Sequence, residues 1–158
     1  MRRVFLIAVV LFFASHAFAQ DLAETSGLAL GVGVGFENAG LGGHGLYYLQ
    51  TANERWRIAP HVGVGYFGAA AVSGGVMALF GRRHRLVIDL MVSPAAADGG
   101  TGMRTNVYYA LSLLAGWEYM SDRGAAIRST LGVAYKPRDY GEELFLAVNL
   151  LSISIKLW

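Results

Sequence analysis

No cysteine occurs in the 158 residues. Disulfides, thiolate catalysis and cysteine metal centres are therefore excluded, and with them the usual support of a small exported domain. Proline is down to three residues, and glycine, though frequent, is dispersed; neither a linker nor a disordered composition fits. Charge of either sign is scarce, at 15% of residues. Beyond the amino-terminal segment there is no long hydrophobic run. A transmembrane helix, which needs about 20 consecutive apolar residues, is thus not available. Hydrophobic residues nonetheless make up 54% of the chain. High hydrophobicity without runs is what membrane strands produce, because a strand shows only alternate residues to lipid.

At the amino terminus, Arg2 and Arg3 precede an apolar stretch over 4–14, and Ala17-Phe18-Ala19 supplies a small-x-small cleavage pattern. Residues 1–19 read as a secretory signal peptide, set apart from fold reasoning. The alternative is an uncleaved anchor, against which the short apolar core and the A-x-A site both stand. With no cysteine after the apolar run, lipoprotein anchoring is excluded. Residues 20–158 are then one domain. Without Arg2 and Arg3 it carries 11 basic and 11 acidic residues, a balance that argues for no nucleic-acid partner.

Side chains alternate faces along a strand, so parity assigns each residue to a face. In LALGVGVGF, over 28–36, Leu28, Leu30, Val32, Val34 and Phe36 share one face, and Ala29, Gly31, Gly33 and Gly35 the other. Seven further strands are expected at 41–51, 56–67, 72–80, 85–93, 107–119, 127–136 and about 144–158. In a soluble barrel or sandwich the second face would meet water and be rich in Lys, Glu, Thr and Ser. Here it is Gly, Ala and Ser with a few charges and aromatics. That mixture suits the inside of a narrow barrel, since eight strands leave an interior just wide enough for side chains to fill. The bulky face then meets lipid, and closure satisfies every backbone polar group without water. The expectation is an all-β, eight-stranded antiparallel up-and-down transmembrane β-barrel; a soluble ligand-binding barrel is the alternative.

Turn chemistry adds detail. The links at 52–55, 82–84 and 122–124 are short and fall on the side of the termini, as periplasmic turns do. PAAADGGTGMR, over 94–104, is the longest link. Asp122-Arg123-Gly124 fits a type I turn with a G1 bulge, Gly at the left-handed position. That register predicts an ion pair between Glu118 and Arg128, both inside. Aromatics fall into two girdles: Trp56, Phe80, Trp117 and Tyr119 toward the short turns, and Phe36, Tyr66, Tyr109 and Tyr135 toward the other end. In the last strand the apolar phase flips at Leu150-Leu151, which calls for a β-bulge.

From Gly81 to Trp158 the chain resembles a family of small bacterial outer-membrane β-barrel proteins. The resemblance rests on GRRHRLVIDL, AGWEYMSDRG and AAIRSTLGVAYKP in that order. The whole chain also looks like eight-stranded barrels of the OmpA, OmpX and OmpW kind. The resemblance implies a location, the Gram-negative outer membrane, and a fold; its motifs name no activity. A chain ending in Trp158 resembles barrels that present a C-terminal aromatic to the assembly machinery. Here the upstream phase holds Lys156, Ser154 and Ser152 rather than apolar residues.

Candidate chemistry sits inside. His44, Arg57, His61, Asp89, Glu118, Arg128 and Lys136 have inward parity and are expected to form a polar network filling the lumen, rather than an ion path or a catalytic group. His44 and His61 are near-diagonal neighbours, but two imidazoles without a nearby carboxylate fall short of a zinc site, so no metal or other cofactor is expected. Lipid A deacylases, which share this barrel type, use a His-x-Ser pair facing lipid; residues 20–158 contain none, and no serine has a base beside it. Nor is GVGVG a nucleotide fingerprint, since no βαβ unit follows. GRRHR, over 81–85, is either a solvated turn or a contact for anionic headgroups. The function expected is a non-enzymatic protein of the cell envelope with a plugged lumen. A narrow porin-like pore and a lipid-modifying enzyme are the alternatives. Expected partners are outer-membrane lipids, lipopolysaccharide and the barrel assembly machinery.

Overall fold

A computed structural model of the chain describes residues 25–53, 55–98, 106–137 and 143–157. The expected leader, residues 99–104 of the expected long link and Trp158 lie outside the described residues. Eight strands follow one another: β1 (Gly27–Gly35), β2 (Gly40–Gln50), β3 (Trp56–Tyr66), β4 (Ala70–Phe80), β5 (His84–Asp98), β6 (Asn106–Met120), β7 (Ala125–Lys136) and β8 (Glu143–Lys156). Each pairs antiparallel with the next, and β1 pairs with β8, so the sheet closes into a barrel in chain order. Closure leaves no strand edge unpaired.

The turns set the register. Gln50 opposes Arg57 and His44 opposes Gly63, as the short link between β2 and β3 requires. At the β6–β7 turn Gly124 has φ +79, and its N–H reaches the Ser121 carbonyl at 2.9 Å. Glu118 then stands opposite Arg128. Adjoining turns at this end, the turn end, are laced together. Gly81 N–H donates to the Arg55 carbonyl at 2.9 Å, Met120 N–H to Arg83 at 2.8 Å, and Lys156 N–H to Gly124 at 2.9 Å.

Faces alternate as parity requires. Val32, Leu90 and Leu131 point outward and are 64, 53 and 53% exposed, whereas Leu46, Met77, Leu79 and Leu114 point inward and are buried. In β8 the ladders to both neighbours slip by one residue: Val34 pairs with Leu151 but Gly35 with Asn149, and Arg128 pairs with Ser152 but Thr130 with Asn149. This bulge lets Leu150 and Leu151 both face outward while Asn149 and Ser152 both turn inward.

Two features differ from the sequence expectation. β5 runs to Asp98 rather than ending at 93. Pro94 lacks the N–H a ladder needs, and the β5–β6 register shifts between Pro94 and Ala96 instead of ending there. Phe36 is not on the outward face of β1. It opens a single 3₁₀ turn, Phe36–Asn38, between Gly35 at φ +139 and Ala39 in the left-handed region at φ 50. Those two conformations fold the chain back into the barrel mouth, where Phe36 packs on the inner cluster of Met91, Ala110, Leu114, Ala134 and Ala147.

Candidate functional site

The interior is layered. Toward the turn end Ala29, Leu46, Tyr48, Ala59, Met77, Leu79, Val87, Met120 and Ala126 form one apolar cluster. Toward the opposite, loop end lies the Met91–Leu114 cluster, with Phe36 and Phe145 over it, ring centroids 6.2 Å apart. Between them sits a charged core, and its central residue is Glu37 from the inserted turn.

Glycines make room for that turn. A Cβ on Gly63 would lie 2.0 Å from the Glu37 carbonyl oxygen, and one on Gly65 2.2 Å from that of Asn38. Gly33 and Gly42 leave similar clearance for Asn38. The bare face of β1 and its neighbours is thus a mould for residues 36–38. Ser73 fixes the backbone there, its hydroxyl donating to the Glu37 carbonyl at 2.6 Å.

Glu37 is 1% exposed and fully engaged. Arg128 grips its carboxylate with two nitrogens, Nε to Oε2 at 3.1 Å and Nη2 to Oε1. Asn149 Nδ2 and Ser152 Oγ, the two residues that the β8 bulge turns inward, donate to Oε2 at 2.9 Å each. Arg128 Nη1 continues to Glu118 Oε2 at 2.7 Å. Glu118 also accepts from Arg85 Nη1 at 2.9 Å and from the Tyr48 hydroxyl at 2.9 Å, and the Arg85 guanidinium stands over the Tyr48 ring at 5.3 Å. Two carboxylates thus meet two guanidiniums in one chain of charge-assisted bonds, Glu37–Arg128–Glu118–Arg85. Complete pairing is what makes buried charge tolerable.

Beside it, Asn38 Nδ2 donates to Ser152 Oγ at 2.9 Å and to Asn149 Oδ1 at 3.3 Å. Its Oδ1 therefore accepts from His44 Nδ1, 2.6 Å away, which places the His44 proton on Nδ1 and turns Nε2 toward Glu37, 3.6 Å off. His61 Nε2 donates to Asp89 Oδ1 at 2.9 Å, so each of the two histidines has a carboxylate beside it, contrary to the sequence expectation.

Of the seven residues singled out in the sequence, His44, Glu118 and Arg128 share this core. His61 and Asp89 form a second buried pair, and Arg57 is buried as well. Lys136 lies apart, bonded to Glu143 at 3.0 Å near the loop end, where the Glu143 side chain is 64% exposed. Sequence parity places Tyr48 and Arg85 inward, as found, without assigning them to the network, and it did not select Glu37, Asn38, Asn149 or Ser152. Glu37 and Asn38 lie in the link after β1, where alternation no longer assigns a face.

Chemically, the arrangement is a rivet. Its carboxylates are held by arginines and also accept from the nearest hydroxyls, Glu37 from Ser152 and Glu118 from Tyr48. Among the described residues no group of three or more His, Cys, Asp or Glu is arranged to hold a metal ion. Comparison of the chain with protein-family models, curated proteins and solved structures finds no match.

Proposed function

We propose that the chain is an exported protein of a Gram-negative outer membrane, where it stands as a transmembrane barrel with a plugged lumen and serves the envelope as a structural or interaction protein rather than an enzyme. The observation that carries this is the outward face. Large apolar side chains stand exposed on every strand, among them Val32, Leu41, Val62, Val76, Leu90, Leu113, Leu131 and Leu146. In water so large an exposed apolar surface is a liability; in hydrocarbon it is the requirement. The strands, 9 to 15 residues long, meet the roughly 9–11 that a tilted membrane strand needs. Trp56, Phe80 and Trp117 at the turn end and Tyr66, Tyr109 and Tyr135 toward the loop end are outward and exposed, in keeping with two interfacial belts. Residues 1–19 would direct export, outer-membrane lipids and lipopolysaccharide would surround the barrel, and the last strand would engage the assembly machinery.

The test is electrophoresis of a purified outer-membrane fraction with and without boiling. A band in that fraction that shifts on heating is expected. A soluble periplasmic protein with no shift overturns the membrane reading and makes the outward face an association surface. The filled lumen argues against a narrow pore, and single-channel conductance in planar bilayers would reverse that. A lipid-modifying role would announce itself as a changed lipid A mass spectrum on overexpression.

A further inference from the structure

The turn end carries a cluster of arginines outside the lumen. The β2–β3, β4–β5 and β6–β7 turns bring Arg55, Arg82, Arg83 and Arg123 to one rim, together with Asp122. Asp122 is committed to Arg83, at 2.5 Å. Arg55 and Arg82, from two different turns, line one open groove of about 550 Å³ together with Phe80 and Gly81. Directly beside it Trp56 and Phe80 are paired across β3 and β4, ring centroids 5.0 Å apart, and both are outward.

Both turns are pinned. Gly81 N–H holds the Arg55 carbonyl. The buried Arg85 reaches out of the lumen, its Nε donating to the Arg82 carbonyl at 2.6 Å. Gly81 itself has φ +123, and a Cβ there would lie 2.2 Å from the His84 carbonyl oxygen, so the turn admits no side chain at that point. On the other side Asn53 receives Arg55 N–H at 3.0 Å on its side chain and Trp56 N–H at 2.9 Å on its carbonyl. The two arginines are thus carried on backbone that does not need ordering when a ligand arrives, which removes part of the cost of binding.

We infer that this groove is a binding site for the headgroup of an anionic phospholipid. Arg55 and Arg82 hold the phosphodiester, and the Trp56–Phe80 pair packs the first carbons of an acyl chain. Planar guanidinium forks suit phosphate oxygens, and the aromatic pair places the apolar part of the same molecule where hydrocarbon begins. A phospholipid is favoured over free phosphate because the cationic groove and the apolar pair are contiguous. The inference rests on the membrane reading, and it adds a ligand class and a leaflet: the barrel would take its annular lipid at the turn end by charge.

The test uses the protein inserted in vesicles containing equal amounts of phosphatidylcholine and phosphatidylglycerol, with retained lipid counted by native mass spectrometry after release. Phosphatidylglycerol should be retained in preference. Each arginine is expected to contribute about fivefold, the scale of one basic residue near an anionic surface. R55Q/R82Q should lose the preference and keep the heat-shifted band, while R123Q, on the turn outside the groove, should keep both. Equal retention of the two lipids, or an undiminished preference in R55Q/R82Q, overturns the site. Displacement of phosphatidylglycerol by inorganic phosphate at matched concentration assigns the groove to phosphate alone and overturns the lipid. Insertion into vesicles with no lipid preference counts against this site only, whereas failure to insert counts against the membrane reading first.

Discussion

At the scale of single residues, space and charge in the lumen are tightly matched. Gly63 is the sharpest case, since its Cβ position is 2.0 Å from the Glu37 carbonyl oxygen and 2.4 Å from Ser73 Oγ. Gly63→Ala should push residues 36–38 out of place and cost about 1–3 kcal/mol, the scale of overpacking a filled interior. Gly45→Ala is the comparison, because its Cβ would meet only Leu30 Cδ2 at 3.5 Å, an ordinary contact. Thermal loss of the compact electrophoretic band should move for the first variant and stay for the second; equal midpoints would mean the turn does not occupy the glycine mould. Glu37→Gln keeps the shape and removes one of the two charges facing Arg128. Unbalancing a buried pair costs about 3–5 kcal/mol, and since Glu118 still holds Arg128, the lower end is expected. Glu143→Gln, at the exposed Lys136 pair, should cost less than about 1 kcal/mol. Denaturant unfolding of the two variants followed by tryptophan fluorescence separates them, and a small loss for Glu37→Gln would mean that the core is not held by its charges.

At the scale of elements, the β8 bulge couples the fold to the core. It keeps Leu150 and Leu151 outward and brings Asn149 and Ser152 together on Glu37. A register slip of one residue exchanges every inner and outer side chain of a strand. Leu150 is the extra residue of the bulge, and deleting it leaves Asn149 inward, Leu151 outward and Ser152 inward, so both halves of β8 keep their faces and the folded band should survive. Loss of the band on deletion would show that the bulge geometry itself, and not only the facing of the two halves, is required. This bulge was legible in the sequence because two apolar phases collide at Leu150-Leu151. The strands were legible for the same reason: bulk and smallness alternate, and short turns such as Asp122-Arg123-Gly124 fix the register, from which the Glu118–Arg128 pair follows. The inserted turn was not legible, because parity speaks only for residues in strands. Glu37 leaves β1 through Gly35 at positive φ, and nothing in alternation tells whether a link then turns into the barrel or away from it. β5 was underestimated because Pro94 and the alanines after it look like a loop, although a bulge carries the ladder past them.

At the scale of the whole molecule, the deciding quantity is the medium that meets the outward face. Apart from Gly45 and Gly74, the row Leu30–Gly45–Val62–Gly74–Val92, read across five strands through paired positions, is bulky and apolar, and Val62 lies in the middle of it, 57% exposed. In hydrocarbon an arginine at mid-depth of a barrel costs about 2–4 kcal/mol, and near an interface only about 0–1. In water an exposed substitution away from special features stays within about 0.5 kcal/mol. Val62→Arg should thus be strongly destabilising and Tyr66→Arg, at the end of the same strand, nearly neutral, as measured by unfolding from lipid vesicles. The contrast between two outward positions on one strand cancels what any arginine does to strand pairing. A graded loss from Tyr66 to Val62 is the signature of a lipid-depth profile. Two small and equal effects would mean that the outward face meets water, and the apolar band would then have to be covered by another protein surface.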